Sequence, residues 1–94
     1  MPNDALNGKL IVEKVINENL TLNEIGRRVK VKREEEEMKL TTLAEFSGVS
    51  VEKLYRLENG EAERFSLVSL YSIAFQLRCS VHDLLPSHPI FSID

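Results

Sequence analysis

A short run of side chains between residues 50 and 56 has the chemistry needed to bind double-stranded DNA. Its outer positions are Ser50, Val51, Glu52, Lys53, Tyr55 and Arg56. They can share the outer faces of a helix because Leu54 and Leu57 take its inner face. An arginine can donate two hydrogen bonds to guanine, and a glutamate can accept one from cytosine. Arg56 and Glu52 are therefore candidate base contacts, and the alternative is that both are ordinary charges on a solvated face.

The helix that carries these side chains is predicted to be the second of a helix-turn-helix pair. A first helix, over residues 41–47, ends at Gly48, where a glycine adopts the left-handed conformation with little strain. It is expected to bury three apolar side chains, Leu43, Ala44 and Phe46. Ser50 is the expected N-cap of the second helix, residues 51–58, which Asn59-Gly60 ends. Such a pair can present its second helix to a major groove.

Apolar residues that recur at spacings of three and four predict helices on either side of this pair. Thr21 and Glu24 have the spacing of a capping box, and the helix they begin is expected to end within glutamates 34–37. Ser66 is the expected N-cap of a long helix after the pair. The stripe that this helix should bury consists of Leu67, Leu70, Ile73, Ala74 and Leu77.

A last short helix completes the predicted domain. Ser80 and Asp83 can cap it, and Pro86 ends it. Its apolar side chains are Val81, Leu84 and Leu85. No two alternating apolar runs are joined by a hairpin turn, so the fold class is all-α. Residues 21–86 are predicted to form a compact five-helix bundle around one core.

The two ends of the chain are separate from this bundle. Residues 1–20 form an N-terminal extension for which a helix is favoured, although the β-branched residues in 9–12 also fit a short strand. The helical face would contain Leu6, Leu10, Ile11, Val15 and Ile16. The C-terminal tail, 87–94, carries Ile90, Phe91 and Ile93 and is expected to lie against this domain or a partner.

Composition excludes several classes of protein. The chain has 94 residues, a net charge of −3 and one cysteine. The acidic balance excludes a uniformly basic DNA coat but leaves room for a local basic patch. No apolar run is long enough to span a membrane, and no signal peptide is apparent. We therefore expect a cytoplasmic protein with no membrane contact, no small-molecule ligand domain, no metal and no cofactor, and no triad or phosphate loop indicates an enzyme.

An ordered series of motifs covers residues 22–86. In chain order these are Ile25-Gly26, Arg28-Val29-Lys30, Arg33, Leu43-Ala44, Gly48-Val49-Ser50, Leu57-Glu58-Asn59-Gly60, Leu67, Leu70, Ile73-Ala74, Leu77, Cys79-Ser80 and Asp83-Leu84-Leu85. Each motif alone is common, whereas their order and spacing together are specific. The series resembles the Cro/C1-type helix-turn-helix (xenobiotic-response-element) family of bacterial and phage repressors. The resemblance implies a λ-repressor-like bundle that binds double-stranded DNA as a homodimer.

The resemblance also implies roles for individual residues. In the family, the acid before Asn-Gly pairs with an arginine of the first core helix, which here implies a buried Arg33–Glu58 ion pair. The implied base contacts are Ser50, Val51, Glu52 and Arg56. The implied phosphate contacts are Arg28, Lys39, Lys53, Tyr55, Asn59 and Arg64. Arg28 has an alternative interpretation, as part of a charged helix face with Lys30 and Lys32.

Two departures from the family pattern concern the phosphate contacts. Lys39 and Leu40 stand where the family usually has a small capping residue and a phosphate-binding glutamine. Glu61 and Glu63 follow the second helix, where phage repressors often have basic residues. Residues 22–65 contain nine basic and ten acidic residues, so we expect weak nonspecific affinity for DNA.

These observations predict a sequence-specific DNA-binding transcriptional regulator, a repressor that binds a two-fold symmetric operator as a dimer. The dimer surface is expected at the last helix and tail or at the N-terminal extension. The alternative is an acidic protein-interaction module on the same fold, antitoxin-like or anti-repressor, with weak or no DNA binding. The two hypotheses differ in where the glutamates lie relative to the second helix of the pair.

Overall fold

The computed structural model describes residues 22–86, and these residues form five helices and no strand. Helix α1 covers 22–35. The others are α2 (Leu40–Ser47), α3 (Val51–Glu58), α4 (Leu67–Gln76) and α5 (Val81–Leu84). The prediction of an all-α five-helix fold is therefore confirmed, and α2 and α3 begin and end within one residue of the predicted limits.

Some predictions involve residues 1–21 and 87–94 and lie outside this description. They are the N-terminal helix or strand, the capping box between Thr21 and Glu24, and the position of the apolar tail. Within 22–86, none of the helices has the length and apolar character needed to cross a membrane. The same residues do not bring three or more histidine, cysteine, aspartate or glutamate side chains together around a possible metal position.

Three helices begin at serine hydroxyls. The side chains of Ser50, Ser66 and Ser80 each accept a hydrogen bond from the backbone N–H three residues further along. At Ser80 the capping box is complete, because the Asp83 carboxylate accepts from the Ser80 backbone N–H at 3.0 Å. This bond lowers the pKa of Asp83. Gly48 ends α2 at φ 75°, as its position in the sequence predicts.

One hydrophobic core joins the helices. Helix α2 packs against α3 and α4, and α5 packs against α4. The largest fully buried side chains are Leu43, Leu54, Leu57, Ile73, Leu77, Leu84 and Val29. Two of them, Leu54 and Leu57, belong to α3, and burial of each stabilises the fold by roughly 1.5–3 kcal/mol. The orientation of α3 is therefore fixed by the core.

Two apolar side chains that the sequence pattern assigns to the core are exposed instead. Phe46 is 64% exposed and Leu67 is 60% exposed. Helix α2 buries Leu43, Ala44 and Ser47, and the Ser47 hydroxyl bonds to the Leu43 carbonyl oxygen at 2.5 Å. Because only one side of α2 meets the core, Phe46 lies on another face. Leu67, the first residue of α4, likewise lies outside the stripe that α4 buries.

Candidate nucleic-acid interface

Helix α3 presents a continuous set of exposed side chains. These are Ser50 at its N-cap, Val51, Glu52, Lys53, Tyr55 and Arg56. The inner face of the same helix, formed by Leu54 and Leu57, has no solvent exposure. The structure thus brings together all four implied base contacts and two of the implied phosphate contacts. Because the helix cannot rotate without exposing two leucines, the face that carries these side chains has a fixed orientation relative to the core.

Glu52 and Arg56 form an ion pair on this exposed face. A guanidinium nitrogen of Arg56 lies 3.0 Å from a carboxylate oxygen of Glu52, one helical turn away. The Glu52 side chain is 74% exposed and that of Arg56 is 57% exposed. Such an exposed pair contributes only about 0.3–0.5 kcal/mol. A base edge that offers Arg56 two acceptors can therefore displace Glu52.

A buried ion pair holds α3 to α1. The Nε and Nη2 atoms of Arg33 donate to the two carboxylate oxygens of Glu58 at 2.8 and 2.9 Å. The side chains are 13% and 3% exposed, and the hydrogen bonds to Glu58 raise the pKa of Arg33. Arg33 Nη1 also donates to the Met38 carbonyl oxygen at 2.8 Å. One side chain therefore joins α1, the turn before α2, and the end of α3.

Asn59 lies at the exposed C-terminal end of α3. Its side-chain amide donates to the carbonyl oxygen of Tyr55 at 2.7 Å, and its backbone N–H donates to the same oxygen at 3.0 Å. An amide group has a second N–H, which this bond does not use. Asn59 is therefore held in place while keeping a donor for a phosphate oxygen. The Tyr55 side chain beside it is 51% exposed.

A groove runs between α3, the α3–α4 loop and the start of α4. Its charged lining residues are Lys53, Arg56, Glu61, Glu63 and Arg64. Three of these five side chains are basic and two are acidic, so the groove has a small positive formal charge. Arg64 lies in this groove with Lys53, another implied phosphate contact, and with Arg56, an implied base contact. Glutamates therefore lie beside the basic side chains and not only at the far end of α1.

Two other implied phosphate contacts differ in how free their side chains are. Lys39 is exposed at the N-cap of α2, where its side chain makes no capping hydrogen bond. Arg28 donates from Nε to Glu24 at 2.8 Å and from Nη1 to the Leu85 carbonyl oxygen at 2.8 Å. The Arg28 guanidinium thus ties α1 to the end of α5. Two of its five N–H groups are used in these bonds, whereas the Lys39 side chain makes no capping bond, and this favours a structural role for Arg28.

Some contributors to the interface have no clear signal in the sequence. Ser66 and Ser69 line the groove beside α3, although the sequence marks Ser66 only as a helix cap. Arg33 also donates to the carbonyl oxygen of Met38, and because this acceptor belongs to the backbone, no sequence motif indicates the bond. Both features depend on how the loops before α2 and α4 fold, and loop geometry has no periodic pattern.

The fold and this interface define the class of protein. A helix-turn-helix pair anchored in a five-helix bundle presents the outer face of its second helix to solvent. Residues 28–87 match the family model for the Cro/C1-type HTH DNA-binding domain. The chain belongs to this family. The comparison confirms the resemblance inferred from the ordered motifs.

Among solved structures, the chain is similar to ClgR, the clp gene regulator of Corynebacterium glutamicum, with 32% identity and a TM-score of 0.64 over 67% of this chain and 66% of ClgR. It is also similar to SinR, the master regulator for biofilm formation, solved in complex with DNA. That similarity has 35% identity and a TM-score of 0.61 over 64% of this chain and 95% of the chain in that structure.

A third similar structure is an enzyme, hydroxypropylphosphonic acid epoxidase from S. wedmorenis. It has 30% identity and a TM-score of 0.64 over 70% of this chain but only 35% of the epoxidase chain. The present chain therefore spans about a third of the epoxidase and just under two thirds of ClgR. No curated protein matches the sequence.

Proposed function

We propose that this chain is a sequence-specific transcriptional regulator, a repressor that binds a two-fold symmetric operator as a homodimer. The observation that supports it most is the geometry of α3: two buried leucines and the Arg33–Glu58 pair fix the helix, and its outer face is exposed. SinR, which is similar over most of its length, has been solved with DNA. The similarity to the epoxidase covers only 35% of the epoxidase chain, so it does not favour enzymatic activity here.

In this proposal the base contacts are Ser50, Val51, Glu52 and Arg56, with Arg56 reading guanine and Glu52 reading cytosine. The proposed phosphate contacts are Lys39, Lys53, Tyr55, Asn59 and Arg64. Arg28 is omitted because Glu24 and the Leu85 carbonyl oxygen occupy its guanidinium. A single α3 covers few base pairs, so two copies on half-sites about 34 Å apart supply the remaining specificity.

Fluorescence anisotropy with DNA from the region upstream of the coding sequence tests this function. Native DNA is expected to bind with submicromolar affinity and scrambled DNA much more weakly. Arg56→Ala should reduce the preference for native DNA by about 10- to 100-fold, because it removes one bidentate base contact. Lys30→Ala is the control, since Lys30 is exposed on α1 and lines neither the groove beside α3 nor the groove that Phe46 and Phe75 line. Equal, weak binding of both DNAs by the wild-type protein would contradict the proposal.

A second candidate function has one observation in its favour. Glu61 and Glu63 line the groove beside α3, and Glu52 lies on α3 itself. These carboxylates would repel phosphate but could bind a basic protein surface, as expected of an antitoxin-like or anti-repressor module. Glu61→Gln with Glu63→Gln separates the two functions. The pair of changes should strengthen DNA binding if DNA is the ligand, and should weaken protein binding if it is not.

A further inference from the structure

Helix α4 has an apolar face that no described residue covers. The side chains of Leu67, Val68, Tyr71 and Phe75 are 60%, 75%, 59% and 78% exposed. At 100° per residue these four positions lie within one third of the helix circumference. The residues that α4 buries, Leu70, Ile73, Ala74 and Leu77, lie on another side. A helix that is apolar on two of its three sides is typically covered on both.

Phe46 extends this face onto α2. It is 64% exposed and lines the same groove as Phe75. The Gln76 side-chain amide donates to the Phe46 carbonyl oxygen at 3.3 Å, which keeps the end of α2 beside the end of α4. We call these five residues, Phe46, Leu67, Val68, Tyr71 and Phe75, the α4 apolar face.

Four of the five residues of the α4 apolar face, all except Phe46, lie in the longest uncharged part of the described sequence. Residues 65–77 contain no charged side chain, although 29% of the whole chain is charged. Such a surface does not attract phosphate or a charged peptide. It also suits a second copy of this chain, because self-association of a molecule with net charge −3 is least repulsive where both copies are uncharged.

The order of residue types along α4 fits a two-fold axis. Leu67 and Val68 lie at one end, Tyr71 at the centre and Phe75 at the other end. Antiparallel pairing of two copies would place each Phe75 against the Leu67 and Val68 of the other copy, and the two Tyr71 rings beside the axis. Large rings would then meet smaller aliphatic side chains. Aromatic residues near the centre of an interface are typical of its strongest contacts.

The exposed area is close to what a dimer needs. From ordinary side-chain sizes, the α4 apolar face exposes on the order of 600 Å² in each copy, compared with roughly 800 Å² per partner in a standard interface. The groove beside α3 uses a different side of α4, where Ser69 lies. Helix α4 can therefore pair with a second copy while α3 remains open to DNA.

We propose that the α4 apolar face is the homodimer interface of this protein. This inference rests on the proposed function, in which a dimer binds the operator. It places the dimer surface on α4 and not on the last helix, the tail or the N-terminal extension, where it was expected from the sequence. The occupant is a second copy of the same chain, with Tyr71 near the two-fold axis.

Sedimentation velocity of the full chain over a range of micromolar concentrations tests the proposal. The wild-type protein should sediment as a dimer. Tyr71→Glu and Phe75→Glu should each weaken dimerisation by at least about 30-fold, because each places two carboxylates in one apolar interface. Val31→Glu is the control, since Val31 is 42% exposed on α1 and lies outside the face. Circular dichroism establishes that each variant keeps its helices.

A disulfide cross-link provides a second measurement that does not depend on a destabilising charge. In a Cys79→Ser background, Tyr71→Cys should form a covalent dimer on oxidation, because residues beside a two-fold axis meet their own copies. Ser69→Cys, on another side of α4, should not. A wild-type monomer at all concentrations, or a dimer that survives both glutamate variants and fails to cross-link through residue 71, would overturn the proposal.

DNA binding separates failure of this inference from failure of the proposed function. Tyr71→Glu should bind a single half-site as the wild-type protein does, and should lose the extra affinity for the full operator. If the wild-type protein binds the operator but both glutamate variants remain dimers, the function stands and the interface is wrong. If the wild-type protein dimerises through residue 71 but binds no DNA sequence preferentially, the interface stands and the function is wrong.

Discussion

Gly26 of α1 lies so close to Leu57 of α3 that a β-carbon on residue 26 would overlap the Leu57 carbonyl group. Gly26 is buried, and Leu57 has no exposed surface. Neither backbone can retreat without opening the core. The exposed face of α3 is therefore positioned by a backbone contact with α1 as well as by the Arg33–Glu58 ion pair.

Gly26→Ala should strongly destabilise the fold. The obstacle is backbone and cannot rotate away as a flexible side chain could. We expect a loss of about 3 kcal/mol or more, at the upper end of the cost of overpacking, measured by urea denaturation. Gly48→Ala is the control, since Gly48 has φ 75° and no atom near its missing β-carbon. It should cost only about 1–2 kcal/mol of conformational strain. Equal losses from the two substitutions would contradict the close approach.

Replacing one partner of the Arg33–Glu58 pair should destabilise the fold much more than the replacement of both partners does relative to the sum of the single losses. Arg33→Met or Glu58→Leu alone leaves a buried unpaired charge, with an expected loss of about 3–5 kcal/mol. The double variant should be clearly more stable than the sum of the two losses predicts, because it leaves no orphaned charge. A double-mutant cycle by chemical denaturation measures this difference. Strict additivity would show that the two side chains do not interact in solution.

Acid should weaken the start of α1 through Glu24. Hydrogen bonds from Arg27 and Arg28, with Arg27 the larger contributor, lower the pKa of Glu24 from 4.5 to about 2. Because the folded-state pKa is the lower one, the stabilisation by this carboxylate is complete above pH 4.5 and is lost as pH falls towards 2. Urea midpoints measured through this range should fall less steeply in Glu24→Gln than in the wild-type protein. Part of the slope should remain in that variant, since the pKa of Asp83 is also lowered.

Lys53 and Glu52 are neighbours in sequence that should affect DNA binding in opposite ways. Lys53→Ala should reduce the salt dependence of the binding constant by about one phosphate contact and weaken all DNA sequences alike. Glu52→Gln should strengthen nonspecific binding, because it removes a negative charge and frees Arg56. It should also relax the preference at one base pair if Glu52 reads cytosine. Anisotropy titrations at several salt concentrations measure both effects, and a loss of nonspecific affinity in Glu52→Gln would contradict the role given to its charge.

The helix-turn-helix could be predicted almost completely from the sequence. Ser50 marks the start of α3 and Gly48 marks the end of α2, because capping and the left-handed conformation each depend on one or two residues. Leu54 and Leu57 have the spacing of a single inner face. The Arg33–Glu58 pair follows from a resemblance in which both positions have fixed roles, and the structure contains it. Helix boundaries that depend on local rules, and a long-range ion pair whose residues belong to a recognisable motif, can therefore be predicted from the sequence.

The exposure of Phe46 and Leu67 could not be predicted from the sequence. An apolar side chain on a helix indicates burial, but the pattern does not distinguish burial in the core from burial against another molecule. The engagement of Arg28 by the Leu85 carbonyl oxygen was hidden for a different reason. The acceptor is a backbone oxygen 57 residues away, and because every residue has such an oxygen, no residue type indicates this bond. What the sequence could not supply was the arrangement of whole helices around one another.

In the proposed function, the Glu52–Arg56 ion pair places a carboxylate in competition with DNA for the Arg56 side chain. Every DNA sequence that Arg56 approaches has to outcompete a carboxylate that is always present at one helical turn. A guanine does so with two acceptors, whereas a weaker acceptor returns Arg56 to Glu52. The pair would thus reduce the free energy of a guanine contact by about 0.3–0.5 kcal/mol, and it would leave unaffected any DNA sequence that does not displace Glu52.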